Sequence, residues 1–188
     1  MAVLPIRITG DSVLHSVAEE VTDFGDSLHT LVDDMFETMR EAPGVGLAAP
    51  QVGVPLRLFV YNWTDDEGTL WRGVAANPEL WISPPRTGEA DEDEDSEGCL
   101  SLPGERFPVI RSERAILRAV GLDRRPFEIV ADGWLARIFQ HEFDHLNGVL
   151  YVDRLEAGYD KAVAKAIKKQ GWGVPGISWL PGEDHLED

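Results

Sequence analysis

The pattern that most restricts this chain is His141-Glu-Phe-Asp-His145, set inside a stretch that reads as helix. Asp132 is a good N-cap and Asn147-Gly148 a good stop, so a helix is predicted between them. On a helix, residues i and i+4 lie one above the other, so both imidazoles project from one face. Trp134 and Ile138 continue that face, which makes it an apolar, inward-facing stripe. Two histidines and a glutamate buried there without a partner would be costly. A metal ion would supply the partner, with Glu142 close enough to reach a water on it.

An ion that keeps one position open for water needs a third protein ligand. The single cysteine, Cys99, is the candidate, in the turn-prone segment Glu97-Gly-Cys-Leu-Ser-Leu-Pro-Gly104. A lone cysteine also suits a buried, inert thiol, and spacing does not choose between the two.

The rest of the chain supplies a scaffold. Leu28, Leu31, Val32, Met35, Phe36 and Met39 recur at helical spacing. Asp23 to Asp26 offer capping groups ahead of them, and Pro43 ends the run. Gly44-Val-Gly-Leu-Ala-Ala-Pro-Gln-Val-Gly53 is a shaped loop leading into a strand at Leu56 to Tyr61. Further strands are expected near Gly73 to Ala76, Arg114 to Val120 and Phe127 to Ala131. Strands in succession without alternating helices predict an α+β fold, with antiparallel sheets packed around the central histidine-bearing helix and flanking N-terminal and C-terminal helices. The C-terminal helix is expected over Tyr159 to Gln170, carrying Lys161, Lys165, Lys168 and Lys169. Trp172 to Asp188 reads as a loosely packed, acidic tail.

Charge narrows the partners. The 188 residues carry 17 Lys and Arg against 34 Asp and Glu, a net charge of −17, which disfavours general nucleic-acid binding and anionic membranes. Residues 89–97 hold seven of those acids, and self-repulsion is expected to keep most of them solvated. No membrane-length apolar run and no signal pattern are visible, so a cytoplasmic location is expected, and one cysteine fits a reducing compartment.

Three segments together, Gly44-Val-Gly-Leu-Ala-Ala-Pro-Gln51, Glu97-Gly-Cys-Leu-Ser101 and Gln140-His-Glu-Phe-Asp-His-Leu-Asn-Gly148, resemble the three signature motifs of peptide deformylases, in the family's order. The resemblance implies a catalytic domain over residues 1–155 and an extension over 156–188. It implies hydrolysis of the N-formyl group of formyl-methionyl peptides and nascent chains, releasing formate. Cys99, His141 and His145 would hold one divalent ion, Fe²⁺ in the cell, with Zn²⁺, Ni²⁺ or Co²⁺ in purified protein. Glu142 would be the general base and acid. The Gln51 amide and the Leu100 backbone N–H would donate to the oxyanion. Gly46, Val45, Glu97, Gly98, Arg106, Trp134 and Ile138 would bind substrate, although Arg106 equally suits a surface salt bridge. The C-terminal lysines raise a ribosome contact, or simply complement their helix dipole.

Two other readings compete. A generic zinc metallopeptidase needs a third ligand downstream, where the remaining histidine is His185 in the acidic tail. A non-catalytic, metal-stabilised binding module would need neither Glu142 nor Gln51.

Overall fold

Residues Leu58 to Tyr61 are buried in succession because their strand is covered on both faces. Phe59 and Tyr61 point to one side and Leu58 and Val60 to the other, as strand alternation requires. The computed structural model describes residues 1–186. Along the chain it shows β1 (Ile6–Arg7), α1 (Asp26–Glu41), β2 (Gly46–Ala48), β3 (Leu58–Thr64), β4 (Leu70–Ile82), β5 (Ser96–Cys99), β6 (Leu102–Pro108), β7 (Arg114–Val120), β8 (Pro126–Asp132), α2 (Gly133–Leu146), α3 (Asp160–Gln170) and β9 (Ser178–Trp179).

The main sheet has five antiparallel strands in the order β2-β3-β4-β7-β8. Helix α1 covers one face, with Val32, Met35 and Met39 against Leu47, Leu58 and Val60. Helix α2 covers the other, with Ala136, Ile138 and Phe139 against Phe59, Tyr61, Ala75 and Leu117. The rings of Tyr61 and Phe139 meet edge to face at 5.2 Å. Two smaller antiparallel pairs, β5-β6 and β1-β9, flank this core. The expected α+β fold around a central helix is what forms. Among the described residues, no helix is long and apolar enough to cross a membrane.

Three local expectations need correction. The strand expected near Gly73 to Ala76 extends to Ile82. A register shift between Ala76 and Glu79 absorbs Pro78, and the Asn77 side chain bonds both backbone groups of Val21 at 2.8 and 2.9 Å. Asp132 occupies the N-cap position of α2 without capping it, since its carboxylate accepts from Arg114 Nε at 2.7 Å. Most of the acidic run is exposed, as expected, while Asp95 and Glu97 are 6% and 4% exposed because arginines meet them. Nor is the C-terminal segment loose. Gly171, in the left-handed region at φ 72°, ends α3 and turns the chain back. Strand β9 then pairs with β1, which leaves Trp179 1% exposed against Ile6, Ile8 and Ala42. The last two residues of the expected acidic tail, Glu187 and Asp188, lie outside the described residues.

Candidate active site

Helix α2 presents His141 and His145 one turn apart, as its 3.6-residue period demands. Their Nε2 atoms stand 3.2 Å from each other. The β5-β6 hairpin brings in Cys99 at a register irregularity after Gly98, which sets its Sγ 3.3 Å from His145 Nε2. Gln51 arrives from the short 3₁₀ turn Ala49–Val52 that follows β2. Its Oε1 accepts from the Ala48 amide at 2.9 Å, which fixes the side chain. Its Nε2 is thereby aimed at Cys99 Sγ, 3.6 Å away, and at Ser101 Oγ, 3.3 Å away.

A cavity of about 510 Å³ opens over this cluster. Val45, Gly46, Gln51, Glu97, Gly98, Cys99, Leu100, Arg106, Trp134, Ile138, His141 and Glu142 all line it, so the structure brings every expected site residue except His145 around one cavity. His145, 1% exposed, joins from beneath through the Nε2 contact. Ile138 is buried and Trp134 and Val45 are partly exposed, which makes an apolar flank with an open rim.

Three expected substrate residues have other neighbours. Glu97 lies behind His141, where its Oε1 meets Nδ1 at 2.6 Å, and Arg111 and Arg137 hold both its oxygens. Its placement is that of a carboxylate orienting a histidine ligand. Gly46 is small for the sake of Glu142: a Cβ there would stand 2.3 Å from Glu142 Oε1. Arg106 bonds Ser96 through Nε and Nη2 at 3.2 and 3.3 Å, at the mouth of the cavity.

Sequence reasoning missed several neighbours. Arg111, 7% exposed, bridges Glu97 at 2.6 Å and Asp144 at 2.7 Å. Arg137 ties Glu97 to Asp95. These pairs join residues up to 42 positions apart and left no local signal. Trp63 also lines the cavity, its ring 6.2 Å from that of Trp134. Alternation from Phe59 and Tyr61 puts it on the α2 side, so that one was legible.

Burial and charge set the protonation states. Burial raises the Glu142 carboxyl to about 7, against the His141 charge and with help from Glu97. Burial, reinforced by the His141 charge, pushes His145 well below its ordinary value, so its ring is the neutral, ligating form. Burial would raise Glu97, but its bonds and charge contacts with His141 and Arg111 hold it well below the usual carboxylate range.

These residues fit a metal ion. A tetrahedral ion with nitrogens at about 2.0–2.1 Å has ligand–ligand edges of about 3.3 Å, close to the separations of His145 Nε2 from Cys99 Sγ and from His141 Nε2, 3.3 and 3.2 Å. The donors of Cys99, His141 and His145 all lie within 4.8 Å of one another, and among the described residues no other group of three or more converges this way. Glu142 Oε2 and His145 Nδ1 are buried without a hydrogen-bond partner, and the carboxylate stands beside the cluster.

The polypeptide deformylase family model matches residues 3–160. The chain belongs to the polypeptide deformylase family. It is 49% identical to the peptide deformylase of Tropheryma whipplei strain TW08/27, over 96% of this chain and 94% of that protein. It is also 49% identical to that of Mycolicibacterium smegmatis, over 97% and 96%. Among solved structures, the Legionella pneumophila deformylase superposes with a TM-score of 0.76 at 40% identity, covering 90% of this chain and 96% of that one. The Synechococcus elongatus deformylase, solved in complex with actinonin, gives 0.75 at 38% identity over 93% and 91%. As a deformylase the chain is a metal-dependent hydrolase, which fits a cavity with three converging donors and one unpartnered carboxylate oxygen.

Proposed function

We propose that this deformylase removes the formyl group from N-terminal formyl-methionine of nascent polypeptides in the cytoplasm, with Cys99, His141 and His145 holding Fe²⁺. The observation that carries the proposal is the convergence of those three donors at a cavity that Glu142 and Gln51 also line. When bound, the ion supplies Lewis-acid charge that acidifies water and stabilises negative charge developing on oxygen.

The chain's own groups do the rest. Glu142 accepts a proton from the attacking water and returns it to the departing amine as the formyl C–N bond breaks. The products are formate and a free amino terminus. The Gln51 Nε2–H and the Leu100 backbone N–H donate to the oxyanion, and Gln51 is already oriented by its Ala48 bond. Ile138, Val45 and the Trp63–Trp134 pair form the apolar wall for the methionine side chain. Gly98 and Arg106 lie along the open side, where the following residues would pass.

Formate release from a formyl-Met peptide by anaerobically purified protein, with metal content measured on the same sample, tests the reading. Turnover with about one metal per chain, lost in Glu142→Ala while the metal stays, is the expected result; the expected loss is at least about 10²-fold. Cleavage of unformylated peptides instead would favour a general metallopeptidase. A ribosome contact through α3 rests on the exposed lysines Lys161, Lys165, Lys168 and Lys169. Reversing all four charges should abolish co-sedimentation with ribosomes, and equal binding would remove that role.

A further inference from the structure

The peptide group joining Leu100 to Ser101 is bonded at both ends. Its amide, the Ser101 N–H, donates to Cys99 Sγ at 3.4 Å. Its carbonyl, the Leu100 oxygen, accepts from the indole Nε1 of Trp179 at 2.8 Å. In a trans peptide the N–H and C=O point in opposite directions, so indole, peptide and sulfur form one aligned chain of hydrogen bonds. Such chains polarise cooperatively: a donor on the carbonyl strengthens the amide's bond to sulfur.

Trp179 is 1% exposed and lies 79 residues beyond Leu100, in the segment after α3. That segment falls outside the part matched by the family model, which ends at residue 160. Strand β9 pairs with β1, and just beyond β1 the Thr9 amide donates to Ser101 O at 2.9 Å. Residues near both ends of the described chain thus bond the Cys99–Ser101 turn.

We infer that Trp179 is a positioning residue for the deformylase reaction: its indole N–H fixes the Leu100–Ser101 peptide plane, and through the Ser101 N–H of that plane the orientation of the Cys99 sulfur. The inference rests on the deformylase reading of the site. A hydrogen bond to a thiolate draws charge from sulfur and orients it, so losing the indole donor loosens the sulfur's hold and orientation. The indole ring and its packing are separable from its N–H, which makes the role testable.

The test uses the full chain loaded with Co²⁺, whose thiolate-to-metal absorption band reports on the sulfur directly. Trp179→Phe removes the donor and keeps an aromatic ring. A benzothienylalanine at position 179 has nearly the indole's shape without its N–H, and covers the case in which the Phe variant folds poorly. Either change should shift the band, speed metal loss to a chelator about 10-fold, and lower kcat about 10-fold with KM little changed. Ile177→Ala, which loosens the same segment without touching the bond, should lower the melting temperature and leave the band and kcat unchanged. A native band, metal-loss rate and kcat in the donor-free variants would overturn the inference. So would an Ile177→Ala variant that reproduces their changes. Absence of formate release from the wild-type enzyme would instead strike at the deformylase reading, and the band shift would still decide the part played by Trp179.

Discussion

Gly46 and Glu142 share a space that holds only one of them. A Cβ at position 46 would press on Glu142 Oε1 at 2.3 Å and on its Cδ at 2.7 Å. Gly46→Ala should therefore displace the base, lowering kcat about 10²-fold while metal content stays at the wild-type level. Glu142 also makes the metal-free protein sensitive to pH. Its carboxyl rises from 4.5 to about 7 on folding, so the folded chain holds that proton more tightly than the unfolded chain. The sign follows: this stabilisation is full below pH 4.5 and is lost as pH rises through about 7. Urea unfolding of chelator-treated protein should show Glu142→Gln gaining about 3 kcal/mol on wild type between those limits. Parallel curves for the two proteins would refute the buried, raised carboxyl. The candidacy of His141, Glu142 and His145 was legible in the sequence because metal and acid–base chemistry restrict residue type at short spacing, and that of Cys99 came from the motif resemblance. The reason for Gly46 was not legible, because the atom it avoids sits 96 positions away.

At the level of elements, α2 is held on the main sheet by apolar packing and is cross-linked to the β5-β6 hairpin by charge. Arg111 carries that link, binding Glu97 of β5 and Asp144 of α2, with all three side chains under 10% exposed. Burial opposes the Arg111 charge, but Glu97 and Asp144 keep it protonated well above its ordinary value. Arg111→Ala leaves two buried carboxylates without their shared cation, although Arg137 and Arg154 still meet one each. Denaturant unfolding should show a loss of about 3–5 kcal/mol, the usual cost of breaking a buried pair from one side. The ends of α1 and α2 were predicted to within a residue or two, because apolar period and stop residues are local signals. The full length of β4 was not, because its second half pairs with β7 only after the shift around Asn77 and Pro78.

Across the whole molecule, the C-terminal segment closes the structure. Trp179 seals Ile6, Ile8 and Ala42, while Trp172 and Ile177 pack beside them. A chain ending at Gln170 should lose about 3 kcal/mol or more of stability, the scale of removing a buried tryptophan. Its thermal melt should fall well below that of the full chain, and an unchanged melt would mean the segment is dispensable. Removing the metal with a chelator should also lower the melt, and Co²⁺ should restore it, since a ligand bound only by the folded state stabilises it by mass action. Composition and motif order were enough to set the α+β class and the family, because each depends on residue identity and near-neighbour spacing. Three features belong to the tertiary structure alone: the burial of Glu97 behind His141, the Arg111 bridge, and the return of Trp179 to the Cys99 turn. Each joins residues far apart in the chain, and such contacts arise only when the two faces of the sheet and the two chain ends have closed around one core.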